Sequence, residues 1–512
     1  MYADQGSSQQ QHQGMTALYA QDRWTLRRLT LQGGIRFERL VDHFAQQQMG
    51  PNIFLPTAVI FPAQDGPLDH KDLQPRMGAT YDVFGNGKTA LKFFLGEYVT
   101  TVNTVDEWIN FSPAGLGHFV SSQTRTWTDA NGDFVPNCNL LDPSDQNDPL
   151  LPGYNPAKDS CGPGNPFFGK GISPLTVDPA ATTGWNTREH SWDLSAGVSQ
   201  QLAPRVSVDV AYNRRSWGNI ATTINRALTP TDFNPFTYTV PKDPKLPGGG
   251  GYTLTYEEIA PAKYNQFDNL YTLADNAGGI INRYNGVDGS VNARLQQGLT
   301  VQAGFSTGNV IEDDCGLAAA HPDVYISSII NGGSLGFGSP FIGGLAQFPQ
   351  SFCHRESGWQ TNFKGLASYN VPRIDVLVSG TFHSLPYAGS NFPSITNQSL
   401  TGTAFLLAGE TSVGFARGFS GAAPVQFFNI VKPGTAYGDR LNGLDLRFGK
   451  ILKFSRTKTL VAVDIFNVTN SNAIDVYQQT YGPTILTPQS TYLNPLSITQ
   501  ARFFKISAQF DF

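Results

Sequence analysis

The chain ends in Arg-Phe-Phe-Lys-Ile-Ser-Ala-Gln-Phe-Asp-Phe, residues 502–512, and this stretch decides the fold. Successive side chains of a β-strand point to opposite faces, so every second residue shares a surface. One face carries Phe504, Ile506, Ala508, Phe510 and Phe512, and the other carries Phe503, Lys505, Ser507, Gln509 and Asp511. The first face suits hydrocarbon and the second suits water. The ending therefore predicts a strand that separates a lipid from an aqueous space.

The same alternation recurs upstream in six predicted hairpins, near residues 16–40, 75–99, 190–217, 284–309, 359–382 and 437–468. Each hairpin closes with a turn of a few residues, such as Phe84-Gly85-Asn86-Gly87-Lys88. Much longer segments connect the hairpins: 41–73, 100–188, 218–283, 310–356, 385–436 and 469–498. Within 218–283, Tyr252–Tyr256 is a candidate for one further strand. Soluble sandwiches also contain alternating strands, but this alternation of short and very long connections is typical of outer-membrane barrels. The sequence predicts an all-β fold, a transmembrane antiparallel β-barrel with short periplasmic turns and long extracellular loops.

The number of predicted strands bears on completeness. Six hairpins and the terminal strand give about 13 strands, whereas complete bacterial barrels normally have an even number. Large plugged transporters have about 22 strands. We therefore expect a partial barrel, about 13 strands of an expected 22, with residues 1–15 as an extracellular loop remnant and 16–512 as the C-terminal barrel portion. The polar start, Met1 to Gln13, has no apolar signal-peptide core, which agrees with a fragment that lacks its N-terminal strands and plug.

Composition argues against several other classes. Charged residues make up 15% of the chain, the formal net charge is −5, and no basic tract is present, so no nucleic-acid partner is expected. No run of about 18 apolar residues occurs, so no transmembrane helix is expected. A barrel conceals its membrane character in this way because every second strand residue faces the lumen.

The four cysteines fall in pairs within predicted loops. Cys138 and Cys161 share one loop, and Cys315 and Cys353 share another. Their spacing does not fit a zinc ribbon. Two disulfides that each close a loop, Cys138–Cys161 and Cys315–Cys353, are the natural interpretation for an oxidising compartment, and four free thiols are the alternative.

Several short motifs resemble those of TonB-dependent outer-membrane receptors. They are Tyr19–Trp24 followed by Leu29–Glu38, Pro75–Thr89, Asp464–Asn470 and Ala501–Phe504. The loop stretch Trp127–Asp133 is similar to that of the large Oar-like receptors, which carry an N-terminal carboxypeptidase-regulatory-like domain. The resemblance covers essentially the whole chain as the C-terminal part of such a receptor. The regulatory-like domain, TonB box and plug of the family are not found in this sequence.

The resemblance implies a receptor in the Gram-negative outer membrane that binds an extracellular ligand and takes it up with energy from TonB. The implied partners are outer-membrane lipid, the TonB complex through a missing N-terminal plug, and a small ligand, oligosaccharide or peptide. A passive porin or adhesin-like barrel is one alternative, and a secreted soluble all-β binding protein is another. The sequence leaves the ligand open among siderophores, oligosaccharides, peptides and cobalamin.

One loop stretch has the spacing of calcium ligands. Asp129, Asn131 and Asp133 place oxygens at positions one, three and five, although Phe134 and Leu140 stand where an EF-hand has Gly and Glu. Asp142 or Asp145 would supply further oxygens. Calcium in this loop is one hypothesis, and an acidic turn without an ion is the alternative.

Loop aromatics are the candidate ligand contacts, above all Trp108, Trp127 and Trp185. Such residues also form the interfacial girdle of barrels or pack loops against themselves. We expect no enzyme activity. The pattern Gly-x-Ser-x-Gly at 332–336 lacks the strand–turn–helix context of hydrolases, and no residue group suggests a catalytic site.

Overall fold

A computed structural model describes most of the chain. The described residues are 11–101, 111–115, 118–121, 123, 125–146, 155, 157–171, 175–263, 266, 268–295, 298–325, 346–387, 400, 403–407, 425–454, 457–481 and 491–511. Among them, no helix is both long enough and apolar enough to cross a membrane.

Thirteen antiparallel strands follow one another in a single sheet, which we call the wall. They are β1 (Gln11–Leu26), β2 (Leu29–Phe44), β3 (Gln64–Asp82), β4 (Thr89–Val99), β5 (His190–Ala203), β6 (Val206–Gly218), β7 (Ile281–Arg294), β8 (Leu299–Asp313), β9 (Gln360–Val371), β10 (Val376–Leu385), β11 (Leu441–Phe454), β12 (Thr457–Phe466) and β13 (Phe503–Asp511). Each strand pairs with the one before it, as in an up-and-down barrel. Over the described residues β1 and β13 each have one neighbour, so the sheet is not closed. The predicted fold class, a partial antiparallel barrel, is confirmed.

Short strands and helices lie in the connections. The strands are Gln47–Met49, Val59–Phe61, Trp127–Thr128, Ser160–Cys161, Thr176–Val177, Thr183–Trp185, Ala221–Asn225, Phe233–Thr239, Thr253–Ile259, Asn269–Leu273, Ala346–Gln347, His354–Glu356, Thr403–Leu407, Val425–Asn429, Ile474–Tyr477 and Pro495–Ile498. The α-helices are α1 (Pro179–Thr182) and α2 (Cys315–Ala320). The 3₁₀ turns are Pro230–Asp232, Pro247–Gly249, Pro261–Lys263, Ala274–Ala277, Pro322–Tyr325 and Gln350–Phe352.

Two sequence-based boundaries need correction. The first strand begins at Gln11 instead of Thr16, because Gln11 to Met15 continue the ladder opposite Leu40 to Phe44. The segment 41–73 is not one loop, since β2 runs to Phe44 and β3 begins at Gln64. Leu40, Phe44 and Leu68 share a buried cluster with Phe111, and this packing extends both strands beyond the predicted ends. The candidate strand at Tyr252–Tyr256 does exist as Thr253–Ile259, but it pairs with Phe233–Thr239 in a loop hairpin and not with the wall.

The outer face of the wall carries an exposed apolar belt. Val210, Ile506 and Phe510 are 40%, 78% and 61% exposed, so none of them lies in a dry protein interior. Adjacent strands bring belt residues side by side: Phe448 is opposite Val463, and Val463 is opposite Ile506. An apolar surface this extensive needs a hydrocarbon environment.

The inner face is polar. Along β6 the residues that alternate with Val210 are Asp209, Ala211 and Asn213. Charges on neighbouring strands are paired there: Arg447 of β11 donates to Asp464 of β12, with Nη2 2.9 Å from Oδ2. Polar residues of this regularity suit a wet lumen.

Candidate ligand-binding site

All the long connections leave the wall at one end, the loop end, and the short turns lie at the other, the turn end. Several connections share one hydrophobic core, which we call the cap. Its buried members are Ile220, Ile224, Leu228, Phe233, Phe236, Tyr238, Val240, Leu246, Leu254, Tyr256, Ile259, Ala274, Ala277, Ile280, Leu317, Ala318, Val324, Tyr325, Phe348, Phe352, Phe428, Ile430, Val431, Tyr481 and Tyr492. Residues from four different connections thus pack into one body at the loop end.

Aromatic rings dominate the cap. Phe428 meets Tyr256 edge-on at 4.9 Å and Phe236 at 5.6 Å between ring centroids. Tyr256 is fully buried, and its hydroxyl donates to the backbone carbonyl of Asn429 at 2.9 Å. Edge-to-face pairs of this kind stabilise beyond their buried area by about 0.5–1.5 kcal/mol each. The cap is therefore a packed structure and not a set of independent loops.

A buried ion cluster joins the cap to the wall. The Arg355 guanidinium lies 3.3 Å from Glu312, the last but one residue of β8, and 3.2 Å from Asp314. All three side chains are at most 1% exposed. The Tyr325 hydroxyl also donates to Asp314. The disulfide Cys315–Cys353 closes the same region, and Cys353 packs against the cap core.

Between the wall and the cap lies a cavity of about 890 Å³, which we call the chamber. Its aromatic lining comes from Phe94, Trp217, Tyr284, Tyr387 and Tyr437. Its uncharged polar lining includes Ser195, Asn213, Ser306, Gln360 and Asn362. These residues belong to the middle and the loop-end parts of β4 to β9, to the chain that leaves β10 or to the chain that leads into β11. Trp217 also packs against the cap core, so the chamber adjoins the cap.

The lining is fixed by its neighbours. Asp193 accepts two hydrogen bonds from Arg215 on the next strand, with Nε 2.6 Å from Oδ1. The Tyr284 ring covers the facing glycines Gly286 and Gly308, where an added Cβ would overlap it. The Tyr437 hydroxyl donates to the Ser357 carbonyl at 2.7 Å. Polar groups held in this way present a preformed surface to a ligand.

A second cavity differs from the chamber in its lining. It measures about 470 Å³ and lies at the turn end, among Lys88, Arg205 and Arg294. None of its described lining residues is aromatic. Ligand sites are typically apolar or aromatic with a few convergent polar groups, which favours the chamber as the candidate site.

The predicted calcium ligands fall only partly together. Carboxylate oxygens of Asp129 and Asp133 converge with one of Asp159 within 4.8 Å, and Asp159 was not among the predicted ligands. Hydrogen bonds already serve this cluster: Asp129 accepts from Gly132 N at 2.8 Å, and Asp159 accepts from Ala130 N at 2.9 Å. The backbone N–H of Asn137 and other donors hold the pKa of Asp159 below its usual value. Asn131 donates its amide to Asp133 at 3.0 Å. These donors account for the cluster without an ion, and calcium binding stays a prediction.

The predicted loop aromatics lie outside the chamber. Trp127 is 37% exposed and donates through Nε1 to Asp159 at 3.2 Å. Trp185 is 59% exposed and contacts the Phe37 ring, with centroids 5.8 Å apart. Trp108 and the stretch 332–336 lie outside the described residues.

The structure joins Cys138 to Cys161 and Cys315 to Cys353. The sequence reasoning missed Trp217, Tyr284 and Tyr437, although the first two share the inner-face alternation of Arg215 and Asp288 near strand ends at the loop end.

Comparison with known proteins agrees with this architecture. Residues 1–490 match the protein family described as outer membrane beta barrel domain. No curated protein matches the sequence. Similar solved structures include the outer membrane transporter YddB from Escherichia coli, at 10% identity and a TM-score of 0.41, covering 97% of this chain and 54% of that one. The ferric-catecholate import receptor Fiu from Escherichia coli shows 11% identity and a TM-score of 0.42, and the match covers 97% of this chain and 44% of that one. The siderophore receptor PiuA from Acinetobacter baumannii shows 8% identity and a TM-score of 0.43, and the match covers 98% of this chain and 43% of that one.

The chain thus spans about half, or less, of the length of each of these structures. The family match covers nearly all of the sequence and agrees with the antiparallel wall and its exposed apolar belt. The protein is located in the outer membrane, and the chain belongs to the family of outer membrane beta barrel domains.

Proposed function

We propose that this chain belongs to a receptor that binds an extracellular ligand at the chamber and imports it with energy from TonB. The observation that carries the proposal is the chamber itself, which combines aromatic and polar side chains at the loop end of a membrane-spanning wall. A receptor needs a concave surface with a few convergent polar groups at which its ligand can bind. The proposal includes binding and transport and no catalytic step.

The cap supports a role in ligand capture. Outer-membrane barrels carry their long loops on the extracellular side, so the loop end faces the medium. In this chain the loops are packed around Tyr256 and Phe428 and tied to β8 through Arg355. A rigid cap beside the chamber reduces the ordering cost of binding, because its side chains are already fixed. Coupling to TonB rests on the sequence resemblance.

Uptake by living cells tests the proposal without knowledge of the ligand. Three strains are compared in one complex medium: wild type, a strain without this gene, and a strain without TonB. We expect a set of compounds that the wild type depletes and that neither mutant strain depletes, as measured by mass spectrometry of the medium. Depletion that needs this gene but not TonB would identify a passive porin instead. Identical depletion by all three strains would contradict a transport role.

A further inference from the structure

The chamber lining points to a class of ligand. We propose, on the basis of the receptor function above, that the chamber binds a neutral polyhydroxylated ligand, an uncharged oligosaccharide. Three features of the lining support this ligand class: its charge balance, its aromatic surfaces and its hydrogen-bonding groups.

The charge balance of the chamber is close to zero. Its charged lining residues are Asp193, Arg214 and Arg215. Asp193 and Arg215 neutralise each other in a bidentate pair. Arg214 alternates with Arg215 along β6 and so belongs to the same face as the outward residues Val210 and Tyr212. Anionic ligands such as ferric catecholates or phosphates need uncompensated Arg or Lys at their site, and among the described lining residues none faces inward.

The aromatic residues offer flat apolar faces. Trp217 is held between the cap core and the Arg215 guanidinium, which lies 5.7 Å from the centroid of its ring. Tyr284 is seated on Gly286 and Gly308, which exposes its ring on the inner face. A sugar ring has one or two faces made of C–H groups, and these faces pack on aromatic rings whose faces carry partial negative charge. A strongly anionic ligand would be repelled by the same faces.

The uncharged polar groups of the lining are hydroxyls and amides. Asn213, Asn362 and Gln360 each combine a donor and an acceptor, and Ser195 and Ser306 do so through one oxygen. Groups that both donate and accept match the hydroxyls of a carbohydrate, which also do both. A wholly apolar ligand would leave these groups desolvated and without hydrogen-bond partners, which disfavours its binding. The volume of about 890 Å³ accommodates an oligosaccharide and not merely a single sugar.

Binding to the purified protein tests this inference. The protein is extracted from outer membranes in the form that the cell makes, and calorimetry measures binding of maltohexaose, cellohexaose, xylohexaose and mannohexaose. Hexagalacturonate serves as the anionic counterpart, and a ferric catecholate as a second anionic probe. We expect at least one neutral hexasaccharide to bind and at least tenfold weaker binding of both anionic probes. Preferred binding of an anionic probe would overturn the ligand class while leaving the receptor function intact. Failure of every neutral probe would overturn the inference, whereas the receptor function is judged by the TonB-dependent depletion experiment.

Variants locate the site. Trp217→Ala should weaken binding of the neutral hexasaccharide at least tenfold, and Trp24→Ala, its control near the turn end of β1, should leave binding unchanged. Because Trp217 also packs on the cap, Asn362→Ala provides a second variant, for which we expect a three- to tenfold loss. Heat-modifiable migration in gels verifies that each variant is folded. Unchanged binding by both chamber variants, or a loss with Trp24→Ala alone, would overturn the inference.

The balanced charge of the chamber can be changed by a single substitution. Asp193→Asn removes the partner of Arg215 and leaves one uncompensated cation in the chamber. We expect the preference for the neutral hexasaccharide over hexagalacturonate to fall about tenfold in this variant. Asp209→Asn is the control. Asp209 lies on the same face of β6 as Arg215 but does not line the chamber, so this variant should leave the preference unchanged. An unchanged preference in Asp193→Asn would contradict the role assigned to the charge pair.

Discussion

The wall and the cap use the same kind of chain in opposite ways. In the wall, ladders such as that between β1 and β2 run over the full length of both strands, while apolar side chains such as Ile506 remain exposed. In the cap, strands are short, and side chains such as Tyr256 and Phe428 are completely buried. The wall is therefore specified by backbone pairing and by the surrounding lipid, and the cap by packing between side chains.

This difference predicts where substitutions are costly. A face of the wall contacts lipid or water, and both media adjust to a changed side chain. The interior of the cap cannot adjust, because close-packed protein relaxes only in part around a cavity or an unpaired charge. The largest effects are expected in the cap, and large effects in the wall only where a substitution conflicts with the lipid.

The largest effect is expected at Arg355. Arg355→Leu removes the buried guanidinium that pairs with Glu312 and Asp314, and breaking a buried pair in this way typically costs about 3–5 kcal/mol. Hydrogen exchange should show lost protection in the loop hairpin Phe233–Thr239 and Thr253–Ile259 while the wall ladders stay protected. Adding Glu312→Gln and Asp314→Asn removes both carboxylate charges and should restore most of the protection. Unchanged exchange in Arg355→Leu would mean that this cluster does not hold the cap.

The wall has one comparably large sensitivity, on its lipid-facing side. Val210→Arg places a charge in the apolar belt, which in such barrels costs about 2–4 kcal/mol at the bilayer midplane. Ser207→Arg, on the opposite face of the same strand, is the control and should cost much less, because the lumen is wet. Unfolding of the protein in lipid vesicles by urea measures both. Equal costs for the two variants would contradict the assignment of the faces.

The cap should also respond to pH through a buried carboxyl group. Burial raises the pKa of Asp323 to about 6, although its carboxylate accepts a hydrogen bond from Asn225 N at 2.8 Å. A carboxyl whose pKa is higher in the folded state than the unfolded value stabilises the fold at low pH, and this stability is lost as pH rises from about 4 to about 6. The loss is about 2–3 kcal/mol at 1.36 kcal/mol per unit of pKa.

Asp323→Asn isolates this contribution. The neighbouring His321, whose Nδ1 is 3.8 Å from Asp323, has a pKa lowered by burial. The contribution of His321 to the stability of the fold is therefore lost as pH falls, whereas that of Asp323 is lost as pH rises. The stability of the natural protein relative to Asp323→Asn should therefore fall between pH 4 and pH 6, as followed by hydrogen exchange of the cap. A relative stability that rises with pH would contradict the raised pKa.

The wall was predictable from sequence because its rule is local. Each strand alternates with period two, as in Phe504, Ile506 and Phe510, and each short turn lies between two such strands. The strand count and the alternation of short and long connections follow from that rule alone. The loop-side ends of β2 and β3 could not be predicted from that rule. A buried contact between Phe44, Leu68 and Phe111 determines where these strands end, and Phe111 lies far along the chain.

The cap and the chamber were not predictable for the same reason. Tyr256 and Phe428 are in contact although more than one hairpin of the wall lies between them in the sequence, and nothing in their local sequences indicates this contact. Trp217 was visible as an inner-face residue of β6, but its meeting with Tyr284 and Tyr437 in one lining depends on how the strands and the loop before β11 converge. The predicted loop aromatics Trp127 and Trp185 were chosen for exposure in loops, and exposure alone does not bring side chains together.

The smallest effect is expected for ion pairs of the same kind as the Arg355 cluster that are exposed to solvent instead of buried. Arg226 of the cap pairs with Asp268 at 2.6 Å, and Arg39 of the wall pairs with Asp69 at 2.7 Å, with all four side chains at least one third exposed. Exposed pairs contribute about 0.2–1 kcal/mol, so Arg226→Met and Arg39→Met should each cost no more than that. The cost should shrink further in 1 M salt, since mobile ions screen exposed pairs, whereas the cost of Arg355→Leu should persist. A cost for Arg226→Met close to that of Arg355→Leu would show that charge pairing as such holds the cap; a small, salt-sensitive cost would assign its stability to burial.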